Sequence, residues 1–276
     1  MKIQISETMF EMALPFVASA SHEVFDKMAD AFDSAEEAIM NDVIGDALPE
    51  NGEEWPETVK SEVAGYVIYQ AFVSQLRSHD LVLTDTGFGI VGNDQVSPAS
   101  TARVDALLHE LTVARDRKRT KVALFMRTVD GWASSPQARE LIKWLIWNPQ
   151  DASVYGALKT DSSFDDLALI APAISYADLR LRQEFSNELM DQLLDEERKD
   201  GWEPSHERLA RMVKTFICCS VSGYKDGKTP AYWCEQINNY LERNIGDFVV
   251  YTDTPEYAAK HMESYRNEAR DSVFFW

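Results

Sequence analysis

Apolar residues recur at steps of three and four along most of this chain, the period of a helix with one buried face. Phe25, Met28, Phe32, Ala35, Ile39 and Val43 form the first stripe and predict a helix from about His22 to Ile44, stopped by Gly45 and Pro49. An acidic loop, PENGEEW, follows. Trp55-Pro56 opens a second helix, with proline in the first turn, where its missing N–H costs nothing. Val59, Val63, Tyr66, Val67, Phe72, Val73 and Leu76 predict heavy burial, and Gly65 among them suggests close approach by a neighbouring helix. A third helix, with Ser100 as its candidate cap, carries the stripe Val104, Leu107, Leu108 and Leu111. It closes on RDRKRT, a basic run that could touch DNA or an acidic partner surface but more often marks a solvated helix end whose cations suit the C-terminal dipole. Another helix is expected over Lys121 to Thr128. Ser134-Ser135-Pro136 then starts an aromatic-rich one with Leu141, Trp144, Leu145 and Trp147 at helical spacing.

Asn148 to Ser163 has few large apolar residues and no clear period, so it reads as a linker. Helical signal resumes from Asp178 to Lys199 along Leu181, Phe185, Leu189 and Leu193. Gly201-Trp202-Glu203-Pro204 introduces the cleanest amphipathic stripe, Leu209, Met212, Val213, Phe216 and Ile217. GYKDGKTP reads as a turn, and Trp233, Ile237, Tyr240 and Leu241 mark the next helix. Phe248 to Thr252 reads as a short strand, and a polar helix follows from about Pro255. The two halves share a weak plan, with Trp55-Pro56 and Trp202-Glu203-Pro204 in comparable places, which raises an internal duplication.

One segment breaks the helical period. Leu81–Leu83 and Phe88–Val91 read as two strands closed by Thr84-Asp85-Thr86-Gly87, with a second turn at Gly92-Asn93. The expected fold class is therefore mostly α, as two helical subdomains with a projecting β-hairpin around residues 81–92. The expected division is 1–147, a linker at 148–163, and 164–276.

Composition narrows the chemistry. At 276 residues and 45% hydrophobic content the chain can bury a large core. A net charge of −19 opposes a surface that grips phosphate backbones. Cys218, Cys219 and Cys234 form neither a disulfide framework nor a zinc pattern and read as small apolar residues. The stretch MKIQISETMF lacks the apolar run of a signal peptide, and nothing approaches the length of a membrane span, so the expectation is a protein made and kept in aqueous solution. Gly87, Gly89 and Gly92 spell G-x-G-x-x-G, but Pro98 intervenes before any helix, which argues for turns rather than a dinucleotide site. His22, His79, His109, His206 and His261 show no metal spacing and flank no nucleophile motif. No catalytic residue, cofactor or metal is expected, and the chain is not expected to be an enzyme. Val273-Phe274-Phe275-Trp276, after the polar RNEARD, suggests an apolar tail that docks on its own core or on a neighbour.

The stretch DLVLTDTGFGIVGNDQVSPASTARVDALLHEL resembles a signature of uncharacterised phage and prophage proteins from Bacteroidota. In that family a similar L-V-L-T-x-x-G-F-G-I-V-x-N-x-x-x-x-P-A-S run joins an apolar helix to an x-R-V-x-x-L helix. Here Leu81 to Thr84, Gly87 to Val91, Asn93, Pro98 to Ser100, Arg103, Val104 and Leu107 carry the likeness. The resemblance implies a virion protein made in a bacterial host cytoplasm, in particular a head–tail connector of the neck. Such a subunit would form a ring of copies between portal and tail subunits, with DNA passing nearby without specific binding and with no membrane contact. Thr84, Asp85, Thr86, Phe88 and Ile90 of the hairpin, and Val273, Phe274, Phe275 and Trp276, are the expected interface residues. The alternatives are another virion component (tail-completion or capsid-associated) or a prophage-encoded regulatory module.

Overall fold

The computed structural model describes residues 2–15, 21–76, 81–84, 87–90, 101–224 and 228–262, with backbone alone for 21–23, 81–84 and 87–90. Helices α1 (Glu7–Ala13), α2 (Ser21–Lys27) and α3 (Ala29–Ile39) lead into a π-helical turn, Met40–Ile44. The expected stripe holds through it: Met28, Phe32, Ala35, Ile39 and Val43 are buried. The wider turn also brings Ile44 inside, and the Trp132 indole donates to the Val43 carbonyl at 2.7 Å. Gly45 ends it at φ +63, where a Cβ would also lie 2.7 Å from Gln137 Oε1.

Helix α4 (Glu57–Gln75) packs between α3 and α5 (Thr101–Met126). Apolar burial therefore runs round more than one face, from Val59 to Ile68 and Phe72. A Cβ on Gly65 would stand 2.8 Å from Lys118 Cε, so the aliphatic stem of that lysine lies across the glycine. The expected helix break after RDRKRT does not occur. Residues 115–120 are interior to one continuous α5, because Leu111, Val113, Val122, Ala123 and Met126 keep it seated on the core.

Helix α6 (Pro136–Leu141), capped by Ser135, stops before Trp144, which corrects the helical spacing expected for Trp144, Leu145 and Trp147. Leu145 and Trp147 are nevertheless buried, from non-helical chain. Residues 148–163 are not a free linker. They hold α7 (Pro149–Val154), capped by Asn148, and bury Ala152 in the main core. Helix α8 (Phe164–Glu184) starts from a reciprocal cap between Ser163 and Asp166. The single helix expected over 178–199 breaks at Phe185, and Ser186 caps α9 (Asn187–Glu197).

Helix α10 (Pro204–Ser222) buries Leu209, Val213, Phe216 and Ile217 as its period predicts. Then come α11 (Pro230–Arg243), α12 (Val249–Thr252) and α13 (Pro255–Lys260). The strand expected at Phe248–Thr252 is a helical turn. Phe248 and Tyr251, three apart, face inward, while Val249 and Val250 are exposed. Tertiary packing of those two rings overrides the β-branched composition.

The expected fold class is corrected on two counts. Buried apolar residues from Ile3 to Tyr251 form one continuous cluster rather than two subdomain cores. No β-sheet belongs to the packed body, and a projecting β-hairpin is not part of the described fold. Residues 81–84 and 87–90 pair only locally, from Leu81↔Ile90 to Thr84↔Gly87. Two four-residue segments paired only with each other are marginal in water and do not form an independent arm.

Candidate functional site

The basic run singled out in the sequence lies where the first and second halves of the chain meet, and its side chains fan out around α5. Lys118 and Lys121 reach Glu62 on α4 at 2.9 and 3.3 Å. Arg115 bonds Gln70 at 3.1 Å and Asp116 at 2.7 Å. Arg119 lies over the Phe164 ring, 4.7 Å from its centroid, and Arg117 donates to the Thr160 carbonyl at 3.3 Å. Asp116, fully buried, accepts the Phe164 N–H at 2.7 Å, so it satisfies a first-turn donor of α8. Burial raises its pKa although Arg115 opposes the shift.

A second ionic group continues this seam. Lys214 of α10 is 2.9 Å from Asp151 of α7 and 3.1 Å from Glu197 of α9. The other oxygen of Glu197 accepts the Trp147 indole N–H at 2.9 Å. Burial alone would lower the Lys214 pKa, but Glu197 and Asp151 more than offset it and the net shift is upward.

Between α5 and α10 these groups line a cleft of about 500 Å³. Arg117 and Lys121 come from α5, Arg127 from the turn just after it, and Arg211 and Lys214 from α10. Trp147, Tyr155 and Trp202 supply aromatic wall. Five cations face three carboxylates, Asp151, Glu197 and Glu207, so the cleft has the opposite sign to a chain of net charge −19. A second, more apolar cleft of about 600 Å³ lies across Leu141, Trp144, Trp147, Phe164 and Leu167.

Elsewhere, His206 is buried with both ring nitrogens on acceptors: Nδ1 lies 2.5 Å from Glu196 Oε1 and Nε2 2.8 Å from the Asp247 carbonyl. With Glu196 as a carboxylate, both contacts are hydrogen bonds when the ring carries two protons. Burial opposes that state, but the Asp247 and Glu196 bonds prevail and raise the pKa. Burial also pushes the Cys218 thiol up to about 12. Among the described residues no group of three or more His, Cys, Asp or Glu is placed to hold a metal, and no helix is long and apolar enough to cross a membrane.

Of the interface residues expected from sequence, Asp85, Thr86, Val273, Phe274, Phe275 and Trp276 lie outside the described residues, as do the side chains of Thr84, Phe88 and Ile90. The cleft residues were not foreseen as a group. RDRKRT was their only local signal, and Arg211 and Lys214 lie far along the chain, where nothing marks them.

Residues 20–141 match a family of unknown function, DUF6712. No curated protein and no solved structure matches the chain.

Proposed function

We propose that the chain is a structural virion protein, a head–tail connector subunit that assembles with copies of itself into a ring between portal and tail. What supports a binding role is that the buried ionic groups serve as fasteners: Lys214 is clamped between Asp151 and Glu197, and Glu197 also holds the Trp147 indole. A catalytic lysine needs a depressed pKa and a catalytic cysteine a thiolate near neutral pH. Here Lys214 is shifted upward and clamped between two carboxylates, and the Cys218 thiol sits at about 12. The groups inside the seam are used to fasten α5, α7, α9 and α10 together, which suits a rigid body that presents surfaces. The neck assignment itself rests on the resemblance across Asp80–Leu111.

The test is assembly. Purified chain should form ring-shaped particles or bind portal in negative-stain imaging and light scattering. Removal of Val273–Trp276 should abolish assembly and leave the helical circular-dichroism spectrum unchanged. A chain that stays monomeric with and without portal refutes the reading.

A further inference from the structure

The basic cleft has a counterpart on the same chain. Glu50, Glu53 and Glu54 are exposed in the loop that precedes α4, and Glu57 is exposed in its first turn. That loop is held in one shape: Asn51 Oδ1 accepts the Glu53 N–H at 3.1 Å, and the Trp55 indole donates to the Pro49 carbonyl at 2.8 Å. Lys60 donates to the Glu53 carbonyl at 2.8 Å, and Gly52 packs so closely that a Cβ there would collide with the Lys2 carbonyl oxygen. Its carboxylates are therefore presented on a fixed frame, with little ordering left for docking to impose.

On the cleft side, the Lys214 ammonium is already matched by Asp151 and Glu197. The accessible cations are at the rim: Lys121 and Arg211 keep 59% and 66% of their side chains exposed although they pair with Glu62 and Glu207, and Arg117 is exposed with the Thr160 carbonyl as its acceptor, so a partner's carboxylates can share them. Arg117 and Lys121 are one turn apart on α5, and Arg211 faces them from α10, so the rim forms two rows that can straddle a narrow acidic segment. Tyr155 and Trp202 between the rows would exclude water from the contact.

We propose that the acidic loop 50–57 of one copy of this chain docks in the α5–α10 cleft of a second copy. The inference rests on the self-assembly reading and names the two surfaces that meet. Two copies at −19 each repel at long range, but at physiological salt that repulsion is screened beyond about 8 Å, whereas contacts in the cleft are not. A nucleic-acid strand in the same cleft would have to approach a strongly acidic body with few other cations to hold it.

The experiment compares sedimentation of the full chain with two charge-reversal variants, Arg117→Glu/Arg211→Glu in the cleft and Glu53→Lys/Glu54→Lys in the loop. All four positions are exposed, and a circular-dichroism spectrum checks each fold. Each variant alone should self-associate at least about tenfold more weakly than wild type. An equimolar mixture of the two should recover association, because an intact loop then meets an intact cleft. Wild-type assembly that neither variant weakens, or a mixture no better than its parts, overturns the docking and leaves the assembly reading standing. A wild-type chain that is monomeric at about 100 µM and about 0.05 M salt overturns the docking, and one that also stays monomeric with portal overturns both.

Discussion

Lys214→Met removes one ammonium from between Glu197 and Asp151 while it keeps an unbranched side chain of similar length. The substitution breaks ion pairs of 3.1 and 2.9 Å. The Glu197 side chain is only 4% exposed, so its carboxylate is stranded with the Trp147 indole as its remaining donor. Removing one partner of a buried pair costs about 3–5 kcal/mol. Asp151 is 30% exposed and can turn to water, which places the expected loss at the lower end, about 3 kcal/mol. For a chain of this size that corresponds to about 6 °C in Tm. Adding Glu197→Gln removes the stranded charge while a side-chain carbonyl still accepts the Trp147 N–H. The double variant should regain about half of the loss, a coupling readable in a double-mutant cycle by urea and thermal unfolding. A loss below about 1 kcal/mol for Lys214→Met, or a Gln substitution that deepens the loss, would refute the view that this pair fastens the seam.

His206 gives a pH signature. Its pKa is raised in the folded state, so its stabilisation is complete below the unfolded value of about 6.5 and fades as pH rises through the higher folded value. Wild type should lose stability across that window in denaturant titrations, and His206→Gln should flatten the slope; an unchanged slope refutes the doubly protonated assignment. Gly52→Ala forces a Cβ against the Lys2 carbonyl and should cost about 1–3 kcal/mol, read by thermal unfolding. Cys218 should resist a thiol reagent at pH 8 until the protein unfolds; labelling at the rate of a free cysteine would contradict its burial and its pKa of about 12.

The stripes of α3 and α10 were legible because one-sided burial writes a three-and-four period directly into the sequence. Elements that pack through polar groups were not. Residues 148–163 look like a linker because Asn148, Gln150 and Asp151 hold them in place: Asn148 caps α7, Gln150 meets Thr120 and Asp151 meets Lys214. RDRKRT looks like a helix end because five of its six side chains are charged, yet their partners Glu62, Gln70 and Thr160 are distant in sequence. Phe248–Thr252 carries strand-like residues but is decided by two rings that the core captures. The cleft was invisible because its cations come from helices almost a hundred positions apart and meet only on folding.

The seam also bears on how the matched region could exist alone. The family match ends at residue 141, but α5 leans on residues beyond it: Gln150 for Thr120, Thr160 for Arg117, Phe164 for Asp116, and Lys199 for Arg127. Truncation there would take from the Asp116 carboxylate the Phe164 N–H that it accepts, and leave Thr120, Arg117 and Arg127 without these partners. Any shorter homologue of this chain must therefore rebuild that flank, with foreign sequence or with a sister molecule, before its long central rod can stand.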